Sequence, residues 1–306
     1  MVAVVGASAL VLASIPSPTS PVAFELGPLA PSYYGLLVAL GIVAATWLTG
    51  HELARKGYDG GYSLAVEALL FIVPLGLIGA RISYVVANYD LYSSNLFPAV
   101  VEVWRGGLEV YGGLVGGFVG LLIFSGLRGI GALAFADAAA PGVVLGQAVG
   151  RWGDYFNQEL FGRPSDLPWA IRIAPGNRPA EFADVTSFHP TFLYESIWDV
   201  LVCLILLWVT RRFGGGLREG SVFLLYAVLF TAGHLAVDAL RLEAAALPIV
   251  ELVRGNLLLL GGVLVLGFAS LLVLRHYLPR EDAPKVGGPA RFRPPSTRAP
   301  RARDGQ

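Results

Sequence analysis

The sequence predicts an all-α polytopic membrane protein of about seven transmembrane helices, with a small external head segment between helices four and five. Three observations carry that reading. Of the 306 residues, 55% are hydrophobic and only 14% are charged, against roughly 25% charged in a typical soluble domain. Mean hydropathy is +0.63. Apolar runs of about 20 residues, the length that crosses a hydrocarbon core, also recur along the chain.

Residues 1–31 form an apolar leader without a basic start, interrupted at Pro16, Pro18 and Pro21. It lacks the charged n-region of a cleaved secretory signal and reads as a retained external leader. Runs 32–50, 110–127, 220–237 and 255–274 contain no Asp, Glu, Lys or Arg. Three further runs each carry one ionisable residue: 68–87 with Arg81, 131–150 with Asp137, and 197–210 with Asp199. The transmembrane domain thus occupies 32–278, and its one sizeable non-membrane piece, 151–190, is the external head. Residues 279–306 are rich in Pro, Gly and Arg and have too little apolar surface to fold, which predicts a disordered tail.

Basic residues set the orientation. One set of alternate loops holds Arg55, Lys56, Arg128, Arg211, Arg212 and Arg218, and eight more basic residues follow Leu274. The other set holds Arg105, Arg151, Arg163, Arg172, Arg178, Arg241 and Arg254. The positive-inside rule therefore puts the C-terminus in the cytoplasm and the N-terminus outside. Equal totals of 22 basic and 22 acidic residues give no electrostatic footprint for nucleic acid. The single cysteine, Cys203, excludes an intrachain disulfide, and the histidines at 51, 189, 234 and 276 offer no close ligand pair. No metal or cofactor is implied. Cys203 lies in an apolar run without a basic neighbour and reads as a packing thiol.

Ionisable groups within or at the ends of spans are costly, so they mark functional positions by default. They are Arg81, Glu109, Asp137, Arg151, Asp154, Glu159, His189, Glu195, Asp199, His234, Asp238 and Arg241. Most fall at the external ends of spans, which predicts a polar cavity open to the outer leaflet. The densest stretch is 150–162, where Arg151, Asp154, Asn157 and Glu159 follow one emerging span. Arg151 offers a planar fork suited to phosphate, Asp154 and Glu159 are placed to orient it, and Asn157 can donate to phosphate or glycerol oxygens. The same residues also fit an interfacial, salt-bridged helix end. His234, Asp238 and Arg241 are spaced to share one helix face, which suits either acid–base work or a helix-packing pair. Glycines at 112, 116 and 120 and at 113 and 117 let two helix backbones touch. Gly112 and Gly113, beside Tyr111, read equally as room for a lipid headgroup.

Taken together, these blocks resemble the bacterial phosphatidylglycerol–prolipoprotein diacylglyceryl transferase family. The resemblance runs from Ile15-Pro16-Ser17-Pro18 through Tyr34-Gly35, Gly79-Ala80-Arg81, Tyr111-Gly112-Gly113, 150–162 and Pro168-Trp169 to His189-Pro190-Thr191-Phe192-Leu193-Tyr194-Glu195. The two most specific pieces are Gly-Arg-x-Gly-x-x-x-Asn-x-Glu-x-x-Gly and His-Pro-x-x-Leu-Tyr-Glu. The resemblance implies a multi-pass enzyme of the bacterial inner membrane with no cofactor. Its implied partners are phosphatidylglycerol, the prolipoprotein signal peptide with its lipobox cysteine, and membrane lipids. It would move diacylglyceryl to the cysteine thiol and release glycerol phosphate. Substrate binding falls to Tyr34, Arg151, Asp154, Asn157, Glu159 and Gly162, and catalysis to Tyr111, His234, Asp238 and Arg241.

This sequence departs from the family pattern. The signature's usual first Asn is Asp154, the family's His-Gly-Gly histidine is Tyr111, and its Arg-x-x-x-Glu-x-x-Arg becomes His234, Asp238 and Arg241. A phenol of pKa about 10 is a poor base for a thiol, whereas imidazole titrates near neutrality. The combination suggests that His234, held by Asp238, takes the thiol proton while Arg151 and Arg241 hold phosphate and Tyr111 donates a hydrogen bond. An altered relative that binds anionic lipid or lipoprotein precursor without transfer is the alternative. A proton-coupled transporter using Asp137, His234 and Asp238 would need paired broken helices, and the sequence shows none.

Overall fold

The computed structural model describes residues 14–27, 30–92 and 107–242. Its long helices follow the apolar runs: α1 (Tyr33–Arg55), α2 (Gly61–Ala87), α3 (Val110–Arg128), α4 (Ala132–Gly150), α6 (Thr191–Phe213) and α7 (Ser221–Asp238), with a six-residue α5 (Trp152–Asn157) extending α4. Five stretches, namely α1, α2, α4 with α5, α6 and α7, are long and apolar enough to cross a membrane. The protein is therefore an all-α, multi-pass membrane protein. The run expected as a seventh span, 255–274, the tail 279–306 and leader residues 1–13 lie outside the described residues.

Three helices outlast the apolar runs, and α1 reaches Arg55 rather than ending at 50. α2 begins at Gly61 rather than at 68, and α6 covers Thr191–Phe213 rather than 197–210. An apolar window stops at Glu67 and Glu195, but backbone hydrogen bonding does not, because both carboxylates have partners. Glu67 meets Arg128 at 2.5 Å, and Glu195 is buried in an ion cluster described below. The segment 151–190 begins as helix. Helical chain continues through Asn157 and ends at Gln158, which adopts a left-handed φ of 54°.

Consecutive long helices alternate in direction. Asp137 in α4 fixes one of the turns by accepting from Gly220 N at 2.7 Å and Phe223 N at 2.8 Å, which satisfies donors at the start of α7. That end of the bundle is opposite the C-terminal end of α7, where His234 and Asp238 stand. Asp137 is thus a structural cap, far along the helices from the groups with which a transporter reading combines it.

Two helix pairs pack through backbone contact along a seam, besides the Gly50/Gly61 approach where α1 meets the start of α2. α2 and α3 meet at Gly79/Gly112, Leu75/Gly116 and Phe71/Gly120, and α1 and α4 meet at Gly41/Gly146 and Ala45/Gly142. In each pair a Cβ on the glycine would strike the facing carbonyl, so only a residue without a side chain lets the axes approach this closely. Gly112 belongs to this seam rather than to a headgroup space. The interior of α1, α4, α6 and α7 is closed by Leu48, Ala140, Val144, Val202, Cys203, Leu206 and Val222. Cys203 is buried there, with its Sγ 3.4 Å from the Pro141 carbonyl, as a packing thiol requires.

The head is a small cap on the end where α4 and α7 finish. Its only sheet among the described residues pairs β1 (Ile171–Arg172) antiparallel with β2 (Ser187–Phe188) over Ile171, Ile173, Phe188 and Phe192. The leader adds to it, since Ile15 N donates to the Ala170 carbonyl and Arg172 N donates to the Ile15 carbonyl. Leader and head therefore share one end of the bundle.

The glycine seam makes a testable demand. Gly116→Val drives a branched side chain into the Leu75 carbonyl, and overpacking costs about 1–3 kcal/mol. Thermal unfolding in detergent should show a midpoint several degrees below wild type. Gly126→Ala, which meets nothing within 4 Å, should not.

Candidate active site

The ionisable residues at the head end converge on one carboxylate, Glu195. It sits in the second turn of α6, 3% exposed. Its Oε1 lies 3.0 Å from His234 Nδ1. Its Oε2 lies 3.0 Å from Arg151 Nε and accepts from Arg241 NH2 at 2.8 Å. Three potential cations from three parts of the chain thus share one buried anion. Such an arrangement is stable only when each charge is compensated.

Local structure explains each position. Arg151 is the junction of α4 and α5, so its side chain leaves the bundle's end where the helix steps aside. Asp154, one turn on, is buried with its Oδ2 3.6 Å from Arg151 NH1. His234 projects from α7 beside Phe230, the two rings stacked at 5.7 Å. Arg241 lies just past α7, where backbone bridging to Gly162 and the Arg163 N to Leu240 carbonyl bond hold it against the head. Gly162 serves that crossing: a Cβ there would stand 2.7 Å from His189 Cβ and 2.9 Å from the Leu240 carbonyl.

The His-Pro-x-x-Leu-Tyr-Glu and Pro-Trp blocks also meet. Tyr194 OH accepts from Trp169 Nε1 at 3.0 Å and lies 3.2 Å from His189 Nδ1. Thr191 Oγ1 donates to the Leu160 carbonyl, and Ser196 Oγ donates to the Ala148 carbonyl at 2.9 Å. The motif is therefore a brace that pins the start of α6 to the head and to α4. Glu195 is what the brace presents.

Other expected site residues are placed differently. Tyr34 opens α1 with its ring against Gly153, where a Cβ would overlap the ring. Asn157 and Glu159 bond each other at 2.9 Å, and both line a cavity of about 390 Å³ beside Gly176–Pro179 and Leu242. Of the two acids expected to orient Arg151, Asp154 reaches it, whereas Glu159 is bonded to Asn157. Asp238 lies with Oδ1 3.9 Å from Arg241 NH1. The carboxylate on His234 Nδ1 is Glu195, from a neighbouring helix, rather than the Asp238 that i,i+4 spacing suggests. Tyr111 is the second residue of α3, and its side chain lies outside the described residues. Arg81, also expected to matter, is 1% exposed, donates to the Gly107 carbonyl at 3.0 Å and faces the rings of Tyr84 and Tyr92.

Glu195 itself is the residue that site prediction passed over. It appears among the ionisable positions, but no spacing rule links a residue on α6 to His234 or Arg151. The available signal is the motif's final Glu, at the start of a span. Chemically, the cluster joins an imidazole of fixed orientation to two guanidinium groups. Arg241 Nε is buried and without a hydrogen-bond partner among the described residues.

The comparisons bear on what the cluster serves. A sequence model of the prolipoprotein diacylglyceryl transferase family matches residues 21–273. The chain is 41% identical over 280 residues to the phosphatidylglycerol–prolipoprotein diacylglyceryl transferase of Frankia alni, covering 90% of this chain and 71% of that protein. It is 41% identical over 236 residues to transferase 2 of that name from Streptomyces coelicolor, covering 76% and 73%. With the Acaryochloris marina transferase it shares 37% over 261 residues, covering 85% and 93%.

Because buried Glu195 neutralises the buried Arg241 guanidinium and the partly buried one of Arg151, Glu195→Ala should destabilise the fold by roughly 3–5 kcal/mol. Glu195→Gln keeps the shape and an acceptor oxygen and should lose less. Chemical denaturation in detergent reads both, and equal stability of the alanine variant and wild type would contradict the shared-anion arrangement.

Proposed function

The chain belongs to the prolipoprotein diacylglyceryl transferase family, and from that premise we propose how its Glu195 cluster moves the diacylglyceryl group of phosphatidylglycerol to a prolipoprotein. The observation that carries the reading is the sharing of one carboxylate: Glu195 Oε1 orients His234, while Oε2 fixes Arg151 and Arg241. A base and a pair of phosphate-binding cations are thereby held in one frame. Preorganised groups of this kind are effective because they need no rearrangement as charge develops.

Phosphatidylglycerol's phosphate lies against the Arg151 and Arg241 guanidiniums. The Asn157 amide and Glu159 carboxylate, in the neighbouring cavity, meet the hydroxyls of its terminal glycerol. The acceptor is the lipobox cysteine of the signal peptide. Its thiol, with an ordinary pKa near 8.5, is a weak nucleophile until deprotonated. With Nδ1 hydrogen-bonded to Glu195, His234 carries its proton there and leaves Nε2 open to take the thiol proton, the arrangement of a base oriented by a third group. The thiolate attacks the glyceryl carbon that bears the phosphate ester. A C–S bond forms and the C–O bond breaks, and the electron pair leaves on the phosphate oxygen, where the two arginines balance its added charge. The proton on His234 passes to the departing glycerol phosphate or to water, restoring the base. His234 so occupies the base's role, and Tyr111, a phenol, serves as a hydrogen-bond donor to an oxygen. The positive-inside pattern puts this end of the bundle at the outer leaflet of the bacterial inner membrane, where secreted precursors emerge.

The roles separate in steady-state kinetics with phosphatidylglycerol and a lipobox peptide. His234→Ala should lower kcat by roughly 10²–10⁴-fold, with KM for the lipid little changed. Full transfer by this variant would overturn the base assignment. Arg151→Ala should weaken phosphatidylglycerol binding at least tenfold, and unaltered lipid affinity would remove the headgroup assignment. A wild-type protein that binds peptide and lipid but yields no thioether by mass spectrometry would mark a binding scaffold instead.

A further inference from the structure

Two anchors follow Glu195 on α6 and run to different neighbours. Ser196, the next residue, is buried. Its Oγ donates to the Ala148 carbonyl at 2.9 Å and accepts from Trp152 Nε1 at 3.2 Å, so both of its partners flank Arg151 in the chain. Trp198, three residues after Glu195, turns to α7 instead. Its Nε1 donates to the Leu229 carbonyl at 2.9 Å. Its indole also fills the place where Gly233 has no side chain, and a Cβ on Gly233 would overlap the ring. Leu229 and Gly233 stand one turn apart on the same face of α7. Gly233 immediately precedes His234.

This contact differs from an ordinary apolar interface. Leu229 lies inside α7, so its carbonyl serves the helix's own ladder with one lone pair and the indole with the other. Such a bond is directional and fixes one height of α7 against α6. Apolar side chains gain little by burial in lipid and leave that height poorly determined. Height matters at the next residue, because His234 Nδ1 meets Glu195 Oε1 at 3.0 Å, and a hydrogen bond of that length tolerates displacements of only a few tenths of an ångström.

We propose that the Trp198–Gly233 contact sets His234 against Glu195, while Ser196 separately sets Arg151 against the same carboxylate. Trp198 and Gly233 are then positioning residues, acting through the base and not on the reacting atoms. The proposal rests on the reading of His234 as base and Arg151 as headgroup cation. It adds a division of labour: the two functions of the cluster are aligned through two different indole N–H bonds and can be disturbed one at a time.

Steady-state transfer from phosphatidylglycerol to a lipobox peptide, with the full chain in detergent, tests the division. Trp198→Phe keeps an aromatic ring and removes the donor, and kcat should fall about tenfold or more with KM for the lipid within about twofold of wild type. Gly233→Ala disturbs the same contact from the other helix while keeping the donor and should give the same pattern, so either variant suffices if the other does not fold. Ser196→Ala should do the reverse, raising KM for the lipid several-fold with kcat within about twofold of wild type. Unchanged kcat in a folded Trp198→Phe or Gly233→Ala protein would overturn the proposal.

A double-mutant cycle separates positioning from general packing. In a His234→Ala background, Trp198→Phe should lower the residual rate no further, because the group it positions is gone. An equal fractional loss in both backgrounds would make Trp198 a packing residue alone and overturn the proposal. Failure of the base reading looks different: His234→Ala would then transfer at the wild-type rate, and the contact would lose its proposed purpose whatever Trp198→Phe does.

Discussion

A single buried carboxylate holds the head end of this molecule together. Glu195 pairs with Arg151 at the end of α4, His234 on α7 and Arg241 beyond α7. Within a low-dielectric bundle those charges tolerate burial only in one another's company. The carboxylate therefore fixes the relative position of two helix ends and a head loop. Its own position is set by the motif around it, through Thr191, Tyr194 and Ser196, whose hydrogen bonds run to the head and to α4. What looks in sequence like two separate signatures is one structural unit.

The remainder of the bundle supplies a rigid base for that unit by a different means. In lipid, apolar side chains gain little by leaving one apolar environment for another, so close backbone approach carries helix association. The α1/α4 and α2/α3 seams do this with glycines facing carbonyls. The α4 seam is mechanically connected to the site, because α4 continues into Arg151 and α5. At the other end, Asp137 satisfies the first donors of α7 and so sets the start of the helix that delivers His234.

Reuse of a common scaffold with altered residues is intelligible in this geometry. By the resemblance drawn from the sequence, the imidazole at 234 and the phenol at 111 stand where the family pattern has an arginine and a histidine, and the anion that meets the first of these positions lies on another helix. A change at 234 from one cation or hydrogen-bond donor to another can retain its link with Glu195. Asp154, which the same resemblance sets in place of an amide, reaches Arg151 without displacing Glu195.

The sequence by itself determined the helical membrane architecture, the approximate spans and the set of ionisable residues from which the site is drawn. Those follow from local quantities: the length of apolar runs, the cost of burying charge, and residues that share a helix face. It also marked Arg151 and His234 through motif and spacing. Tertiary structure decided which acid meets which base. Glu195 replaced Asp238 as the partner of His234 Nδ1, Asn157 and Glu159 turned to a separate head cavity, and Asp137 became a cap. These are contacts between elements dozens of residues apart, and no periodicity along one helix encodes the angle and register at which another helix brings its side chains.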